Sequence, residues 1–426
     1  MKNANAAKYA TAGLLACLMG STALAQDKPF SGITLTIASQ NDQFAPVIAE
    51  LAPKFEEETG ATVKVDILDY GSLLTKTTAD YIGDTEGYDI VTMDIVWAGE
   101  YAENGYSVEL SELIERDSDE IDVDDIYPNL MMGLGNYKGQ QVAFPFAGYA
   151  NVLAYNKTRL DEAGLAAPTT MEEFIAAAEA LTKPDAGLYG FVANGQKGPA
   201  SAQDWMQYNS EMGGAIMGED GMPTLNSDAN VESLKVYRDL FRNSAPPGAA
   251  GYDWGGREES FRQGVAALMQ TWSVGAPGYY NPEISKVVDD VAITTAPHSA
   301  GTAPSYGIGG WGMAINADVS PEQQDAAWAF IKWLNSPEIH KEFNLMGAGS
   351  FLRKSEMTDP DLLAKFPFLP VLAETFENGN YDYRPRIPEY PQIQDFLGTA
   401  VNSVLVGDAD PKEALDTAQA QAEELF

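Results

Sequence analysis

The chain has 426 residues, of which 45% are hydrophobic and 21% charged, and it carries a formal net charge of −36. This composition is typical of a globular protein, and the length suits two lobes of ordinary domain size better than one core. The strongly acidic balance argues against nucleic acid and anionic lipid as partners, because both would be repelled.

The first 25 residues have the organisation of a secretion signal. Lys2 and Lys8 give a positive start, and residues 10–19 form an uncharged, mostly apolar run that is too short to span a bilayer. Residues 23–25 read Ala-Leu-Ala, a small-residue cleavage site. We predict a cleaved Sec-type signal peptide at residues 1–25 and therefore a periplasmic location.

The single cysteine, Cys17, lies inside this leader. The residues before it loosely resemble a lipoprotein box, so lipidation stays open as an alternative. If cleavage follows Ala25, the mature chain has no thiol, no disulfide and no cysteine metal ligand. A chain of this size can be stabilised by burial of apolar surface alone.

The first third of the chain alternates predicted strands and helices. Runs rich in β-branched residues at 33–38, 62–68 and 88–93 predict strands, and apolar residues at helical spacing predict helices over 44–58 and 72–82. Strand–helix–strand repeats of this length predict a mainly parallel sheet covered by helices.

The rest of the chain is richer in predicted helix. Apolar runs predict two buried strands, the second rich in glycine, at 265–271 and 306–316. Capping signals and helical periodicity predict helices over 170–181, 226–243, 320–335, 392–405 and 411–426.

Templates for common enzyme and cofactor chemistry do not fit. The only histidines, His298 and His340, are too few for a histidine-rich metal site, and we expect both at the surface. Residues 307–312 match G-x-G-x-x-G, but a strand and not a helix follows, so their glycines are expected to permit a close backbone approach. The acidic run 117–125 lacks the glycine and glutamate of a calcium loop and is expected to be solvated. We predict no cofactor.

Two functional alternatives depend on residues that the sequence cannot place. Aspartate and glutamate are so plentiful that a glycosidase pair of carboxylates could be drawn almost anywhere, and no pair stands out. Adjacent Tyr279 and Tyr280 could serve as phenolate ligands of ferric ion, although packing or ligand stacking is the favoured role.

The strongest functional signal is aromatic residues beside glycines or short polar residues. An aromatic face covers the C–H side of a sugar ring while neighbouring polar groups bond the hydroxyls. This pattern favours a carbohydrate or polyol ligand over a purely structural role. The tryptophans concerned are Trp97, Trp205, Trp254, Trp272 and Trp311.

Several sequence blocks occur in a characteristic order between residues 33 and 356. The first reads YDIVTMDIVWAGEYAENG at 88–105, and the others lie at 145–149, 153–157, 160–165, 168–174, 264–272, 309–312 and 351–355. In this joint order the chain resembles the family 1 extracellular solute-binding proteins, the maltose-binding-like group of ABC importers.

The resemblance implies an α/β fold of two lobes, each a mainly parallel sheet flanked by helices. Three hinge crossings join the lobes, near 145–150, 303–308 and 349–353. The N-terminal lobe would comprise residues 26–147 plus 308–350, and the C-terminal lobe residues 148–307 plus 351–426. The ligand would lie between the lobes, beyond the carboxyl ends of the strands, and closure about the hinge would capture it without any chemical step.

The same resemblance implies the partners and the site. We expect a monomer that binds a small sugar or polyol and delivers it to the permease subunits of an ABC importer. The alternatives are a secreted glycoside hydrolase, or the same fold binding ferric ion, a small anion or an amine. The expected ligand-binding residues are Gln40, Asp42, Gln43, Tyr70, Ser72, Asp94, Trp97, Tyr149, Asn194, Asp204, Trp205, Trp254, Trp272, Gly309, Gly310, Trp311 and Arg353.

Overall fold

The computed structural model describes residues 28–407 and 409–426. The predicted signal peptide and Cys17 therefore lie outside the described residues. Over the described part of the chain, no helix combines the length and the apolar character needed to cross a membrane.

The strands of the described residues form one large mixed sheet and one small hairpin. The large sheet has the order β2-β1-β3-β10-β6-β8-β7, with β9 also paired to β6, and β4 pairs with β5. The strands are β1 (Thr34–Gln40), β2 (Thr62–Leu68), β3 (Ile90–Asp94), β4 (Asn136–Tyr137), β5 (Gln140–Gln141), β6 (Phe144–Asn156), β7 (Tyr189–Phe191), β8 (Ala266–Trp272), β9 (Val291–Thr295) and β10 (Ile308–Ile315).

Helices cover this sheet. They are α1 (Phe44–Thr59), α2 (Tyr70–Gly83), α3 (Ala98–Asn104), α4 (Ser111–Arg116), α5 (Ser118–Ile121), α6 (Pro128–Gly133), α7 (Lys157–Ala163), α8 (Met171–Leu181), α9 (Pro199–Glu211), α10 (Asp228–Ser244), α11 (Trp254–Arg262), α12 (Ala276–Tyr279), α13 (Pro321–Leu334), α14 (Pro337–Leu345), α15 (Pro360–Lys365), α16 (Leu369–Asn378), α17 (Tyr390–Val406) and α18 (Pro411–Glu423).

The long strand β6 divides the sheet into two lobes. Its first half pairs with β10, which continues to β3, β1 and β2, and this side is the N-terminal lobe. Its second half pairs with β8 and β9, and this side is the C-terminal lobe. The outer pairs β1–β2, β1–β3 and β7–β8 are parallel, as expected, whereas β6 and β10 pair antiparallel with their neighbours.

The three predicted hinge crossings meet at the middle of β6. Ala150 pairs with Ile308, and Gly148 forms an isolated bridge with Phe351. One residue from each predicted crossing thus lies beside the next, so the lobes are joined by a narrow band of adjacent backbone. The residue boundaries of the two lobes stay a prediction.

Local sequence signals explain where several elements begin. Thr170 and Glu173 form the predicted capping box of α8, and Asp69 caps α2 by accepting a hydrogen bond from the Ser72 amide. All residues of β3, β8 and β10 are buried because helices cover both faces of the sheet, which is why these strands read as continuous apolar runs.

The expectation that His340 lies at the surface is wrong. Its side chain is fully buried, with Nδ1 2.7 Å from Glu356 Oε1 and Nε2 3.2 Å from the Phe146 carbonyl oxygen. Glu356 Oε2 also accepts hydrogen bonds from the Leu352 and Arg353 amides. The histidine is buried because it links two of the crossings through a partnered carboxylate.

The acidic run 117–125 is only partly solvated. Asp117 accepts a hydrogen bond from Trp328 Nε1 at 2.7 Å, and Asp125 Oδ1 accepts one from the Ser355 amide at 2.9 Å. The expectation of a simple solvated loop therefore fails at these two positions, because each carboxylate ties the run to a distant part of the chain.

Candidate binding cleft

The cleft between the lobes is built where strands end. β3 ends at Asp94 and β8 ends at Trp272, and each is followed by one 3-10 turn, Ile95–Trp97 and Ser273–Gly275 respectively. Side chains that follow the carboxyl ends of strands gather at one edge of a sheet. The register places Asp94 opposite Trp311 and Trp272 opposite Asn151, so both strand ends adjoin the crossing strands.

Four aromatic rings form a cluster that contains residues of both lobes. The Tyr70 ring centroid lies 5.2 Å from that of Trp97 and 6.1 Å from that of Trp311, and Trp97 and Trp311 are 5.7 Å apart. Tyr70 also lies 5.9 Å from Trp254, which begins α11 on the C-terminal lobe. The Tyr70–Trp254 contact spans the cleft, so the lobes are closed in this structure.

A buried carboxylate and a buried guanidinium face each other inside the cleft. Asp94 Oδ2 accepts a hydrogen bond from the Tyr70 hydroxyl at 2.8 Å, and Asp94 Oδ1 lies 3.9 Å from Arg384 Nη2. Burial raises the pKa of Asp94, and it outweighs the opposing effects of Arg384 and Tyr70. The Arg384 guanidinium lies over the Trp272 ring, 5.1 Å from its centroid.

A second carboxylate, Asp42, lies just beyond β1. It accepts hydrogen bonds from the Tyr149 hydroxyl at 3.1 Å and from the Gln43 amide at 2.8 Å. Burial raises the pKa of Asp42 to about 6, with a smaller contribution from the negative charge of Glu258. Asp42 belongs to the N-terminal lobe and Glu258 to α11, so the two carboxylates approach each other when the cleft closes.

Several buried polar atoms next to these side chains have no hydrogen-bond partner among the described residues. Buried polar groups normally have partners, so a concentration of unpartnered atoms indicates a place where a polar ligand can bind. The atoms are Gln40 Oε1, both side-chain polar atoms of Asn151, the Tyr383 hydroxyl and Arg384 Nε.

Two glycines at the crossing make this packing possible. A Cβ on Gly309 would lie 2.8 Å from the Trp272 ring and 3.1 Å from Arg384 Nη2. Gly310 has a φ of +136°, and a Cβ there would lie 2.1 Å from the Ala147 carbonyl oxygen. The glycines therefore permit close backbone approach, and β10 continues through them as predicted.

Other residues expected at the site serve the C-terminal lobe itself. Arg257 Nη1 donates to Asp204 Oδ1 at 2.5 Å, and Asp204 Oδ2 accepts from the Asn194 amide at 2.6 Å. Trp205 is fully buried and donates from Nε1 to Ser233 Oγ at 3.1 Å. The structure commits Asp204 and Trp205 to packing within the lobe rather than to the space between the lobes.

Two further expected residues lie away from the cluster. Arg353 donates to the carbonyl oxygens of Ile121 and Asp122 at 2.7 and 3.0 Å, which ties a crossing to the N-terminal lobe. Ser72 donates to Asp69 Oδ2 at 2.6 Å at the start of α2. Both side chains lie away from the cluster because they form hydrogen bonds with backbone or helix-capping groups. The position of a residue after a strand does not reveal such partners.

Tyr279 and Tyr280 pack against phenylalanines. Tyr279 is fully buried with its ring centroid 5.3 Å from that of Phe261, and Tyr280 stacks on Phe368 at 5.9 Å. No group of three histidine, cysteine, aspartate or glutamate side chains placed to hold a metal ion occurs in residues 28–407 and 409–426.

Sequence reasoning missed Arg384 and Tyr383. They lie in residues 379–389, an irregular segment between α16 and α17 that we call the strap. The sequence analysis looked for ligand-binding residues just after strands, and the strap follows a helix. Its one local signal is the density of aromatic and charged residues over 381–386, which read Tyr-Asp-Tyr-Arg-Pro-Arg.

A model of the bacterial extracellular solute-binding protein family matches residues 38–341. The crystal structure of an ABC transporter solute-binding protein from Agrobacterium radiobacter K84 in complex with ribitol is 65% identical in sequence. It covers 94% of this chain and 100% of its own, with a TM-score of 0.92.

Curated relatives cover almost the whole chain at lower identity. A probable amino-acid ABC transporter periplasmic-binding protein of Sinorhizobium fredii is 26% identical over 432 residues, 98% of this chain and 97% of its own. The mannitol-binding protein of Pseudomonas aeruginosa is 25% identical over 409 residues, 91% of each chain.

Proposed function

The chain belongs to the bacterial extracellular solute-binding proteins, and from that premise we propose that it binds a small acyclic polyol, ribitol in the first instance. It is a solute-binding protein of ABC transporters. We propose further that it works in the periplasm and delivers the polyol to the permease subunits of an importer.

The observation that carries the choice of ligand is the ribitol complex of the 65% identical protein. The cleft of this chain suits such a ligand chemically. Aromatic faces of Trp97, Trp272 and Trp311 can contact the C–H groups of a carbon chain, while Asp42, Asp94 and Arg384 offer acceptors and donors to its hydroxyls.

The proposed mechanism is closure without chemistry. In the closed structure Tyr70 of one lobe meets Trp254 of the other, and the crossings that permit rotation lie side by side in β6. A ligand that contacts both lobes stabilises the closed form by its differential affinity for the two states. The bound polyol would be released unaltered.

Calorimetric titration of the ligand-free protein tests the proposal. The panel is ribitol, mannitol, ribose, maltose and a neutral amino acid, the last chosen because of the Sinorhizobium relative. We expect the alditols to bind with one site per chain and ribitol to bind most tightly. Binding of the amino acid or of the cyclic sugars with no response to alditols would overturn the proposal.

A parallel assay addresses hydrolysis and stability. Ligand at about 100 times its dissociation constant adds about 2.7 kcal/mol to stability, so ribitol should raise the melting temperature clearly. Ribitol recovered after prolonged incubation should be unchanged, since the proposal contains no catalytic step. A chemically altered product would favour the enzyme alternative.

A further inference from the structure

The Asp94–Arg384 pair is an unusual buried ion pair. Asp94 is 4% exposed and Arg384 is 2% exposed, yet their closest atoms, Oδ1 and Nη2, are 3.9 Å apart. Burying two charges is costly unless hydrogen bonds satisfy them, and 3.9 Å is too long for a direct hydrogen bond. Something that bridges the two groups would remove this cost.

Each member of the pair has bonding capacity that the described protein leaves unused. The Asp94 carboxylate accepts hydrogen bonds from the Tyr70 hydroxyl at Oδ2 and from the Ile95 and Val96 amides, but no side chain of the described residues donates to Oδ1. Arg384 is stacked on the rings of Trp272 and Tyr383, and its Nε has no partner in the described chain. The pair thus offers a carboxylate oxygen that no side chain uses and at least one donor without a partner.

Contacts of the strap with the N-terminal lobe hold Arg384 near Asp94. Arg386 fixes the strap to the N-terminal lobe by donating from Nη1 to the Met132 carbonyl oxygen at 3.0 Å. The strap backbone also lies against Gly99, where a Cβ would be 2.2 Å from the Arg386 carbonyl oxygen. Since Gly99 lies in the helix that follows the turn after Asp94, these contacts place Arg384 beside Asp94.

We propose that Asp94 and Arg384 together hold one hydroxyl group of the polyol, and that this pair makes the site reject ligands that carry a charge. A hydroxyl can donate to Asp94 and accept from Arg384 at the same time. An oxygen about 2.8 Å from each atom fits a 3.9 Å separation. The inference deepens the proposed function and rests on it.

The charge selectivity follows from the same geometry. A ligand carboxylate near Arg384 would also lie near Asp94, and a ligand ammonium near Asp94 would also lie near Arg384. Repulsion from the like-charged member offsets attraction to the opposite one, so a charged ligand group loses its hydration without a net electrostatic gain. Each member of the pair therefore excludes one sign of charge, and a neutral hydroxyl satisfies both members.

Titration calorimetry with three ligands of the same carbon skeleton tests the inference. These are ribitol, its terminal carboxylate ribonate and its terminal amine 1-amino-1-deoxyribitol. We expect the wild-type protein to bind ribitol at least 100-fold more tightly than either charged analogue.

The variants are Arg384→Gln and Asp94→Asn, with Arg116→Gln as control. Arg384→Gln should weaken ribitol binding at least tenfold. It should also reduce the difference in affinity between ribitol and the amine, because the cation that repels the amine is gone. Asp94→Asn should weaken ribitol binding and reduce the difference in affinity between ribitol and ribonate. Arg116→Gln removes an exposed arginine paired with Asp117 and should change none of the affinities.

The outcomes separate the two proposals. If the wild-type protein binds no alditol, the polyol function is overturned, and this inference with it. If it binds ribitol but Arg384→Gln and Asp94→Asn keep the selectivity and affinity of the control, the inference alone is overturned. If circular dichroism shows that Arg384→Gln folds poorly, the ratio of ribonate affinity to ribitol affinity in Asp94→Asn tests the inference instead. That substitution preserves the shape of the side chain and its contact with Tyr70.

Discussion

Arg257 contacts Asp204 at 2.5 Å, whereas Arg384 stops 3.9 Å short of Asp94, although both arginines are almost completely buried. Arg257 also donates to Thr271 Oγ1 at 2.7 Å and to Glu258 Oε1 at 3.1 Å, so its guanidinium is held on several sides. Arg384 stacks on the rings of Trp272 and Tyr383 instead, and the Nε atoms of both arginines lack a partner in the described chain.

The two pairs differ in whether the protein alone satisfies the buried charges. A buried pair in direct contact has already exchanged water for protein partners, so removing one member leaves the other uncompensated. A buried pair held apart has not completed that exchange. By this reasoning the Arg257 network stabilises the C-terminal lobe, and the Arg384 pair is completed by the ligand.

The largest expected effect comes from breaking the pair that is in contact. Arg257→Met should lower the free energy of unfolding by about 3–5 kcal/mol, because Asp204 and Glu258 lose their counter-charge in a buried site. Arg384→Met should cost much less, because the 3.9 Å separation means that Asp94 loses no direct hydrogen bond with the guanidinium. Urea unfolding of both variants measures the difference, and equal losses would contradict the comparison.

A third buried pair extends the comparison to the hinge. His340 and Glu356 are in direct contact at 2.7 Å, so Glu356→Gln should behave structurally and cost about 1–3 kcal/mol of stability with ribitol affinity unchanged. Burial alone would raise the pKa of Glu356, but His340 and the backbone amides of Arg353 and Leu352 outweigh it and lower this pKa.

The pH dependence of that stabilisation has a definite sign. Because the folded pKa of Glu356 lies below its ordinary value, the contribution is present at neutral pH and is lost as pH falls through the lowered pKa. The free energies of unfolding of the wild-type protein and Glu356→Gln should therefore become equal at low pH. A gap in stability that stays constant down to acid pH would show that the carboxylate charge is not the source.

On the ligand-facing side, Trp272→Ala should weaken ribitol binding at least tenfold, about 1.4 kcal/mol. Trp272 stacks on Arg384 and contacts Gly309, so its loss removes an aromatic face and loosens the pair. Trp205→Phe is the matched control, because Trp205 lies inside the C-terminal lobe. Equal ribitol affinities of the two variants in calorimetry would show that the Trp272 ring does not contribute to binding.

The smallest expected effect is a pH dependence of closure without ligand. Burial raises the pKa of Asp42 to about 6 in this structure, against an ordinary value of 3.8, and Glu258 adds a smaller contribution. We expect opening of the cleft to return Asp42 to water and so to lower this pKa. Protonated Asp42 favours the closed form, so that contribution is fully present below about pH 4 and is lost as pH rises through about 6.

Small-angle scattering of the ligand-free protein should show this as a modest opening over that pH range. Asp42→Asn mimics the protonated side chain and should remove the dependence. A wild-type profile that does not change between these pH values would mean that closure leaves Asp42 in water.

Sequence reasoning anticipated the fold better than the site. The strands at 33–38, 62–68, 88–93 and 265–271 appear as β1, β2, β3 and β8, because apolar β-branched runs and turn residues report local structure directly. The rule that ligands bind beyond strand ends also pointed to Asp94 and Trp272, which end β3 and β8 in the structure.

The same rule could not separate the cleft from its surroundings. Asp204 and Arg353 find partners that are far away in sequence, and a strand end says nothing about which way such side chains turn. Arg384 was missed because it reaches Asp94 from 290 residues further along the chain, on a strap without regular structure. Long-range packing of irregular segments leaves little trace in local sequence patterns.

A crystal structure of the protein with ribitol shows whether the ligand bridges Asp94 and Arg384. We expect ribitol between the closed lobes, with one hydroxyl oxygen within hydrogen-bond distance of both Asp94 Oδ1 and the Arg384 guanidinium. Ribitol bound elsewhere, or bound in the cleft with the two side chains still 3.9 Å apart and neither touching it, would rule out the proposed bridge.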